Sequence, residues 1–289
     1  ILAAAIILDQ WVLPEPLGRD RSQIRTSYSD AVALATPSVV NIYTAKLVDS
    51  GRNQRLNAPL LRRFLGNSGR RQRVERSLGS GVILTAEGHI ITNNHVIADA
   101  DAIQVLLHDG RSATATAIGT DPATDLAVLQ IQLPGLTPIT LANSDDAQVG
   151  DVVLAIGNPY GFGHSVSQGI ISGLSRYGLQ ASDYEDYIQT DASVLLGSSG
   201  GALIDASGKL LGINTLIYTA NGEGADNTAI GINLATPVNL AHFVMQDLVN
   251  YGTVVRGWLG VSVELLLSPE TMAQQKQVLL VSALTEDGP

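Results

Sequence analysis

An all-β fold, barrel or sandwich, is what this sequence predicts for most of its length. Three observations carry that expectation: nine short β-rich runs lie between residues 39 and 215, turn-forming residues separate them, and only two stretches show helical spacing. At 289 residues the chain can hold one large or two medium domains, each with a sizeable core.

In chain order, Ile1 to Leu8 are wholly apolar, yet a bilayer span needs ~20 such residues. With Trp11 at an interfacial position, residues 1–13 read as the remnant of an N-terminal membrane anchor, and Ala3-Ala4-Ala5 equally permits a cleaved signal segment. Either reading exports the rest of the chain. Residues 14–27, with Pro14, Pro16 and Gly18, read as a linker. Tyr28 to Thr36 follows as a short helix ended by Pro37. The strand-like runs are then residues 39–46, 81–85, 102–107, 113–119, 127–132, 151–157, 165–172, 202–204 and 209–215. Thr236-Pro237 is expected to open a helix of about 14 residues, with Thr236 as cap and Gly252 as its stop.

The formal charge is −10, but residues 51–76 hold eight arginines against Glu75 alone. That segment carries +7 and the remainder −17. Lying between a strand ending near Lys46 and one beginning near Leu78, and with no aromatic beyond Phe64, it reads as a solvated basic loop and not as a nucleic-acid surface. Cysteine is absent, which excludes thiol catalysis, disulfides and Cys-ligated metal. No His/Asp/Glu cluster has metal-ligand spacing, so no metal and no cofactor is expected.

The chemistry concentrates in three segments. Gly197-Ser198-Ser199-Gly200-Gly201 sets a serine among glycines, Thr92-Asn93-Asn94-His95-Val96 supplies a histidine, and Ala123-Thr124-Asp125-Leu126-Ala127 an aspartate. Singly, a Gly-Ser cluster is most often a turn, and a lone histidine or aspartate is most often structural. Together they read as a triad: Ser199 as nucleophile, His95 as the base that takes its proton, and Asp125 as the carboxylate that orients the imidazole. The glycines suit a backbone that turns sharply and aims the amides of Gly197 and Ser199 at a developing oxyanion. Two barrels would put His95 and Asp125 on the first and Ser199 on the second, with the site in the cleft between. His89 precedes an alternating stretch, His108, His164 and His242 lie in turn, loop and helical contexts, and all four read as structural or solvated.

The order His, Asp, Ser is that of chymotrypsin-like enzymes. With Ser77-Leu78-Gly79-Ser80-Gly81-Val82, Asp121-Pro122-Ala123-Thr124-Asp125, Gly157-Asn158-Pro159-Tyr160-Gly161, Gln168-Gly169-Ile170-Ile171-Ser172, Gln189-Thr190-Asp191-Ala192 and Gly212-Ile213-Asn214-Thr215, the chain from Tyr28 onward resembles the HtrA/Deg family of bacterial trypsin-like serine proteases, in its membrane-anchored stress-sensor branch. The resemblance implies a chymotrypsin/trypsin-like double β-barrel over 28–252. It also implies the start of a PDZ domain over 253–289, where Gly257, Trp258, Leu259 and Gly260 would bind a peptide carboxylate through backbone amides.

The family resemblance further implies a regulated periplasmic endopeptidase, anchored to the inner membrane and trimeric. It would cleave a membrane anti-sigma factor when outer-membrane-protein C-termini occupy the PDZ domain. Arg176, in the polar loop Ser175 to Asp186, matches the arginine that couples PDZ occupancy to the catalytic site. Ser193, six residues before the nucleophile, with Val194 and Leu216, implies a pocket for small aliphatic side chains. Two departures, Leu195 and Ser198 where the family usually carries other residues, motivate a peptide-binding pseudoprotease as a non-enzymatic alternative. A general quality-control protease or chaperone of the same family is the enzymatic one.

Overall fold

The computed structural model describes residues 27–49, 72–158, 163–179, 181–195, 197–217, 232–265 and 279–284, and builds most of them into two successive antiparallel barrels. Helix α1 (Ser29–Ala35) passes into a single 3-10 turn at Thr36–Ser38, since Pro37 has no amide to continue the helical ladder. The first sheet contains β1 (Val39–Asp49), β2 (Gln72–Ile83), β3 (His89–Asn93), β4 (Ala102–Leu106), β5 (Ser112–Thr114), β6 (Thr116–Asp121) and β7 (Leu126–Gln130). Its order is β5-β4-β1-β2-β3-β7-β6. The two edge strands, β5 and β6, are separated in sequence by Ala115 alone, so the sheet must roll round on itself. The second sheet is a closed barrel of β8 (Val152–Gly157), β9 (Ser165–Arg176), β10 (Tyr187–Thr190), β11 (Ala202–Asp205), β12 (Leu210–Ile217) and β13 (Asn233–Pro237), ordered β10-β13-β12-β11-β8-β9. The double barrel that the sequence predicts is the fold observed.

Three apolar clusters account for the arrangement. Ile42, Ile83, Ile90, Val105, Ala127 and Leu129 fill the first barrel, and Val153, Ala155, Ile171, Ile188, Val194 and Leu203 the second. The third cluster lies between them. There Val82, Ile91, Leu126 and Val128 of the first barrel meet Leu154, Ile156, Ile204 and Ile213 of the second. Strands β7 and β8 therefore bury both faces, Ala127 and Leu129 inward against Leu126 and Val128 outward, and read as continuous apolar runs without alternation.

Helix α3 (Val238–Tyr251) closes this seam with Val238, Ala241, Val244, Met245 and Leu248, one stripe at helical spacing. Gly252, at φ +72, donates its amide to the Leu248 carbonyl and ends the helix in the left-handed conformation that glycine adopts without penalty. Beyond it, residues 254–260 are irregular. Strands β14 (Val261–Leu265) and β15 (Leu279–Leu284) then form a separate antiparallel pair.

Several expectations are corrected. Strand β2 starts at Gln72, so the backbone of Arg73 and Arg76 pairs with Val48 and Ala45 instead of lying in a loop. A ladder recruits backbone groups whatever the side-chain charge; the other six arginines of the basic run lie outside the described residues. The run 113–119 is two strands on opposite edges with a corner at Ala115. Thr236 does not cap α3: its hydroxyl bonds that of Thr215 on the neighbouring strand β12, residue 237 occupies the cap position, and no side chain caps the helix. Strand β9 extends through Arg176, so the polar loop begins at Tyr177 and not at Ser175. Residues 1–13 and all but the last residue of the expected linker lie outside the described residues.

Candidate active site

His95 sits on α2 (Asn94–Ile97), a single helical turn entered directly from β3. Strand β3 pairs with β7 so that Asn93, the last residue of β3, faces Leu126, the first of β7, which brings His95, two residues beyond β3, up to Asp125, one residue before β7. Asp125 occupies the turn between β6 and β7 at φ +55, a conformation that aspartate tolerates better than most residues. Its carboxylate holds His95 twice: Oδ1 accepts from the His95 amide at 2.9 Å and Oδ2 faces Nδ1 at 2.6 Å. Its carbonyl in turn accepts from the Asn94 amide at 2.9 Å and from Asn93 Nδ2 at 3.0 Å. With the Asp125 side chain 16 % exposed and the His95 side chain 50 % exposed, the more buried carboxylate holds an imidazole that remains half open to solvent.

Ser199 is half-buried in the turn before β11, packed against the first barrel. The Ser80 amide donates to the Ser199 carbonyl at 2.8 Å and the Ser80 hydroxyl to the Gly197 carbonyl at 2.8 Å. Gly197 has φ +95 and Gly200 φ +83. At Gly200 a β-carbon would stand 2.1 Å from the Ser80 carbonyl oxygen and 2.3 Å from Thr92 Oγ1, so only glycine lets the barrels approach here. The amides of Gly197 and Ser199 donate to no described residue. No hydrogen bond joins the Ser199 hydroxyl to the His95 ring; in unliganded hydrolases that contact is commonly long and tightens when substrate binds.

A buried polar rack that sequence reasoning missed lies beneath these residues. Asn93 Nδ2 also reaches Thr215 Oγ1 at 3.3 Å, and Thr215 meets Thr236 at 3.0 Å. All three are almost fully buried, so the rack bonds barrel to barrel where water cannot compete. The signal was present: Asn93 and Thr215 interrupt apolar runs inside two of the marker segments.

The expected pocket residues are less concentrated. Ser193 is exposed and its carbonyl accepts from Ser167 Oγ at 2.6 Å, whereas Val194 is packed into the second barrel's core. The backbone of Leu216 pairs with Leu234, and its side chain lies outside the described residues. Of the two departures, Leu195 is exposed and Ser198 is buried, its amide bonded to the Leu195 carbonyl at 2.8 Å.

Arg176 makes its described contacts within the second barrel. Its guanidinium lies over Gly173 and Nε donates to Gln189 Oε1 at 2.8 Å. The loop after it docks on the Asp125 turn through the Tyr184 amide, 2.9 Å from the Ala123 carbonyl. Within that loop, burial opposes ionisation of Glu185, but amides of Ala181, Leu179, Ser182 and Gly178 hold its carboxyl below the usual range. Arg256 reaches the same turn from the segment after α3, pairing both guanidinium nitrogens with Asp121 and stacking 4.5 Å from the centre of the Tyr184 ring. Asp121 is desolvated, yet its bonds to Arg256 and Thr124 outweigh burial and keep its pKa low.

Gly257, Trp258, Leu259 and Gly260 form an irregular segment leading into β14, with Trp258 and Leu259 exposed. The other histidines stand apart from the site: His89 bonds Thr85 at 2.9 Å, His108 and His164 stack with ring centres 5.5 Å apart, and His242 lies on α3.

Comparison with known proteins places this geometry. Residues 79–213 match the family model of the trypsin-like peptidase domain. The serine endoprotease DegS of Escherichia coli K12 is 41% identical over 268 residues, spanning 91% of this chain and 70% of DegS. The periplasmic serine endoprotease DegP of the same organism is 48% identical over 198 residues, covering 68% of this chain and 41% of DegP. A solved structure of the HtrA-type protease AlgW with a decapeptide superposes with a TM-score of 0.71 at 46% identity, over 91% of this chain and 81% of the other.

Proposed function

Because the chain belongs to the HtrA family of trypsin-like serine endoproteases, close to DegS and AlgW, we propose that it is a regulated endopeptidase of the periplasmic stress response, with His95, Asp125 and Ser199 as its triad. The observation that carries the reading is the double hold of Asp125 on His95. A carboxylate bonded to Nδ1 fixes the tautomer whose Nε2 is free to take a proton. In the reaction, Ser199 Oγ attacks the scissile carbonyl as His95 removes its proton, and the amides of Gly197 and Ser199 receive the oxyanion. His95 then gives that proton to the leaving amine, and water resolves the acyl-enzyme by the same route. As the relatives are serine endoproteases, the pseudoprotease alternative is not retained.

For regulation, we read residues 28–252 as the protease domain and 253–289 as the opening of a PDZ domain, in which Gly257 to Gly260 present amides to a peptide carboxylate. Exposed Val263, Leu279, Val281 and Leu284 on β14 and β15 support the reading, because a sheet pair this apolar needs a packing partner. Arg256 and Tyr184 offer a physical route inward, since both rest on the turn that carries Asp125.

The activators would be outer-membrane-protein C-terminal peptides and the substrate a membrane anti-sigma factor. The enzyme would be a trimer anchored to the inner membrane, with residues 1–13 as the remnant of the anchor or signal segment and 14–27 as linker. Peptide-stimulated cleavage of an anti-sigma periplasmic segment by the natural full-length protein tests this. Arg176→Ala should lower stimulation far more than peptide binding, and equal stimulation in both proteins would remove Arg176 from the switch. The match to DegP favours a second reading, general degradation of unfolded protein; digestion of unfolded casein at the same rate without peptide would select it.

A further inference from the structure

The segment Gly79-Ser80-Gly81 marks the family resemblance, yet the triad uses none of it. Ser80 is fully buried on β2 and bonded on every side. Its hydroxyl donates to the Gly197 carbonyl at 2.8 Å and accepts from the Asn158 amide at 3.0 Å. The Ser80 amide donates to the Ser199 carbonyl at 2.8 Å, and its carbonyl accepts from Thr92 Oγ1 at 2.7 Å. Three of these four partners belong to the second barrel, and two of them flank the peptide groups whose amides would form the oxyanion hole. Thr92 lies three residues before His95 on β3. Ser80 is thus bonded both to the histidine-bearing strand and to the nucleophile turn.

The glycines around it serve the same contact. A β-carbon at Gly157 would stand 2.8 Å from the Ser198 α-carbon, and at Gly200 2.1 Å from the Ser80 carbonyl oxygen. Backbone therefore packs on backbone behind the nucleophile, and the Ser80 hydroxyl is the side-chain group that sets the Gly197–Ser198 peptide plane there. Gly197 is at φ +95 with no side chain of its own to restrain it, so the orientation of this turn depends on what its carbonyl meets.

We infer that Ser80 is a positioning residue of the reaction: by holding the Gly197 carbonyl it fixes the turn in which the Gly197 and Ser199 amides face the oxyanion. The inference rests on Ser199 being the nucleophile, and loss of cleavage in Ser199→Ala tests that assignment separately. Ser80→Ala deletes the hydroxyl and keeps the amide bond to Ser199. Removing an oxyanion donor outright costs about 100- to 1,000-fold in kcat, so loosening the turn that presents it should cost about 10- to 100-fold.

The expected signature is a fall in kcat with KM unchanged within about twofold, because ground-state binding does not use the oxyanion amides. Affinity for a peptide boronate, a tetrahedral mimic, should weaken by the same factor as kcat, while the acidic limb of the pH–rate profile stays in place because the His95–Asp125 pair is untouched. A kcat within twofold of wild type, or a lowered kcat with boronate affinity intact, overturns the inference. If Ser80→Ala does not fold, the wild-type protein crystallised with the boronate decides. The Ser80 hydroxyl should still meet the Gly197 carbonyl, and a carbonyl turned away from Ser80 in that complex overturns it.

Discussion

Asp125→Asn isolates the orienting carboxylate with little change of shape. Asparagine accepts the left-handed backbone that Asp125 adopts at φ +55, and its carbonyl can keep the bonds from Asn93 and Asn94, so the turn should persist. The side chain cannot keep both of its bonds. Its oxygen can accept from the His95 amide, which sets an NH2 group against Nδ1 and forces the ring to carry its proton on Nε2, where it cannot serve as base. Alternatively the oxygen accepts from Nδ1, and the NH2 group faces the His95 amide, donor against donor. Either arrangement removes the competent ring or displaces it. In the trypsin-like template the same change lowers kcat by about 10,000-fold, or about 5.5 kcal/mol of barrier, and that loss is expected here. Steady-state cleavage of a fluorogenic peptide, alongside a thermal melt within a few degrees of wild type, measures it. A folded Asp125→Asn protein retaining a tenth of wild-type kcat would refute the reasoning.

Gly200→Ala should lower Tm and activity together, because its methyl group would meet backbone oxygen of Ser80 at 2.1 Å and the φ of +83 is unfavourable for alanine; unchanged Tm counts against the close approach described. Peptide-library profiling should return small aliphatic residues before the scissile bond, since Ser193 stands where trypsin has the aspartate that pairs with basic side chains; Lys or Arg there would sink the pocket assignment. Burial, with repulsion from His108, lowers the pKa of His164 below its ordinary 6.5. The unfolded chain then binds the proton more readily, so the stability present above pH ~6.5 is lost as pH falls towards the folded-state value. The drop in Tm between pH 7.5 and 5 should be smaller in His164→Phe; an equal drop would exclude His164 as a source.

Much of this was legible in sequence where a local rule and a tertiary demand coincide. Gly252 ends α3 as expected because a left-handed cap needs glycine in any context, and the nine β-rich runs all fall on strands because apolar side chains had somewhere to go. Misreadings occur where tertiary bonds recruit residues with another local preference. Thr236-Pro237 looks like a helix entrance yet ends β13, because the Asn233 side chain holds the Ala192 carbonyl at 2.9 Å and Thr236 is used by Thr215. His89 to Asn93 is absent from the nine strand-like runs yet forms β3; its polar Thr92 and Asn93 are buried because Thr92 bonds the Ser80 carbonyl on β2 and Asn93 bonds Thr215 across the seam. At the site, the side chains with acid–base or nucleophilic chemistry stood out, whereas Ser80, Asn93 and Thr215 act through bonds to residues distant in sequence, so their polarity is visible locally but their partners are not.

The central claim, that Ser199 is the nucleophile activated by the His95–Asp125 pair, is tested most directly by covalent labelling. A fluorophosphonate should add one equivalent to the protein, lodged on the peptide containing Ser199, with no adduct in Ser199→Ala and strongly slowed labelling in His95→Ala. Stoichiometric labelling at another serine, or labelling that persists in Ser199→Ala, would contradict the account.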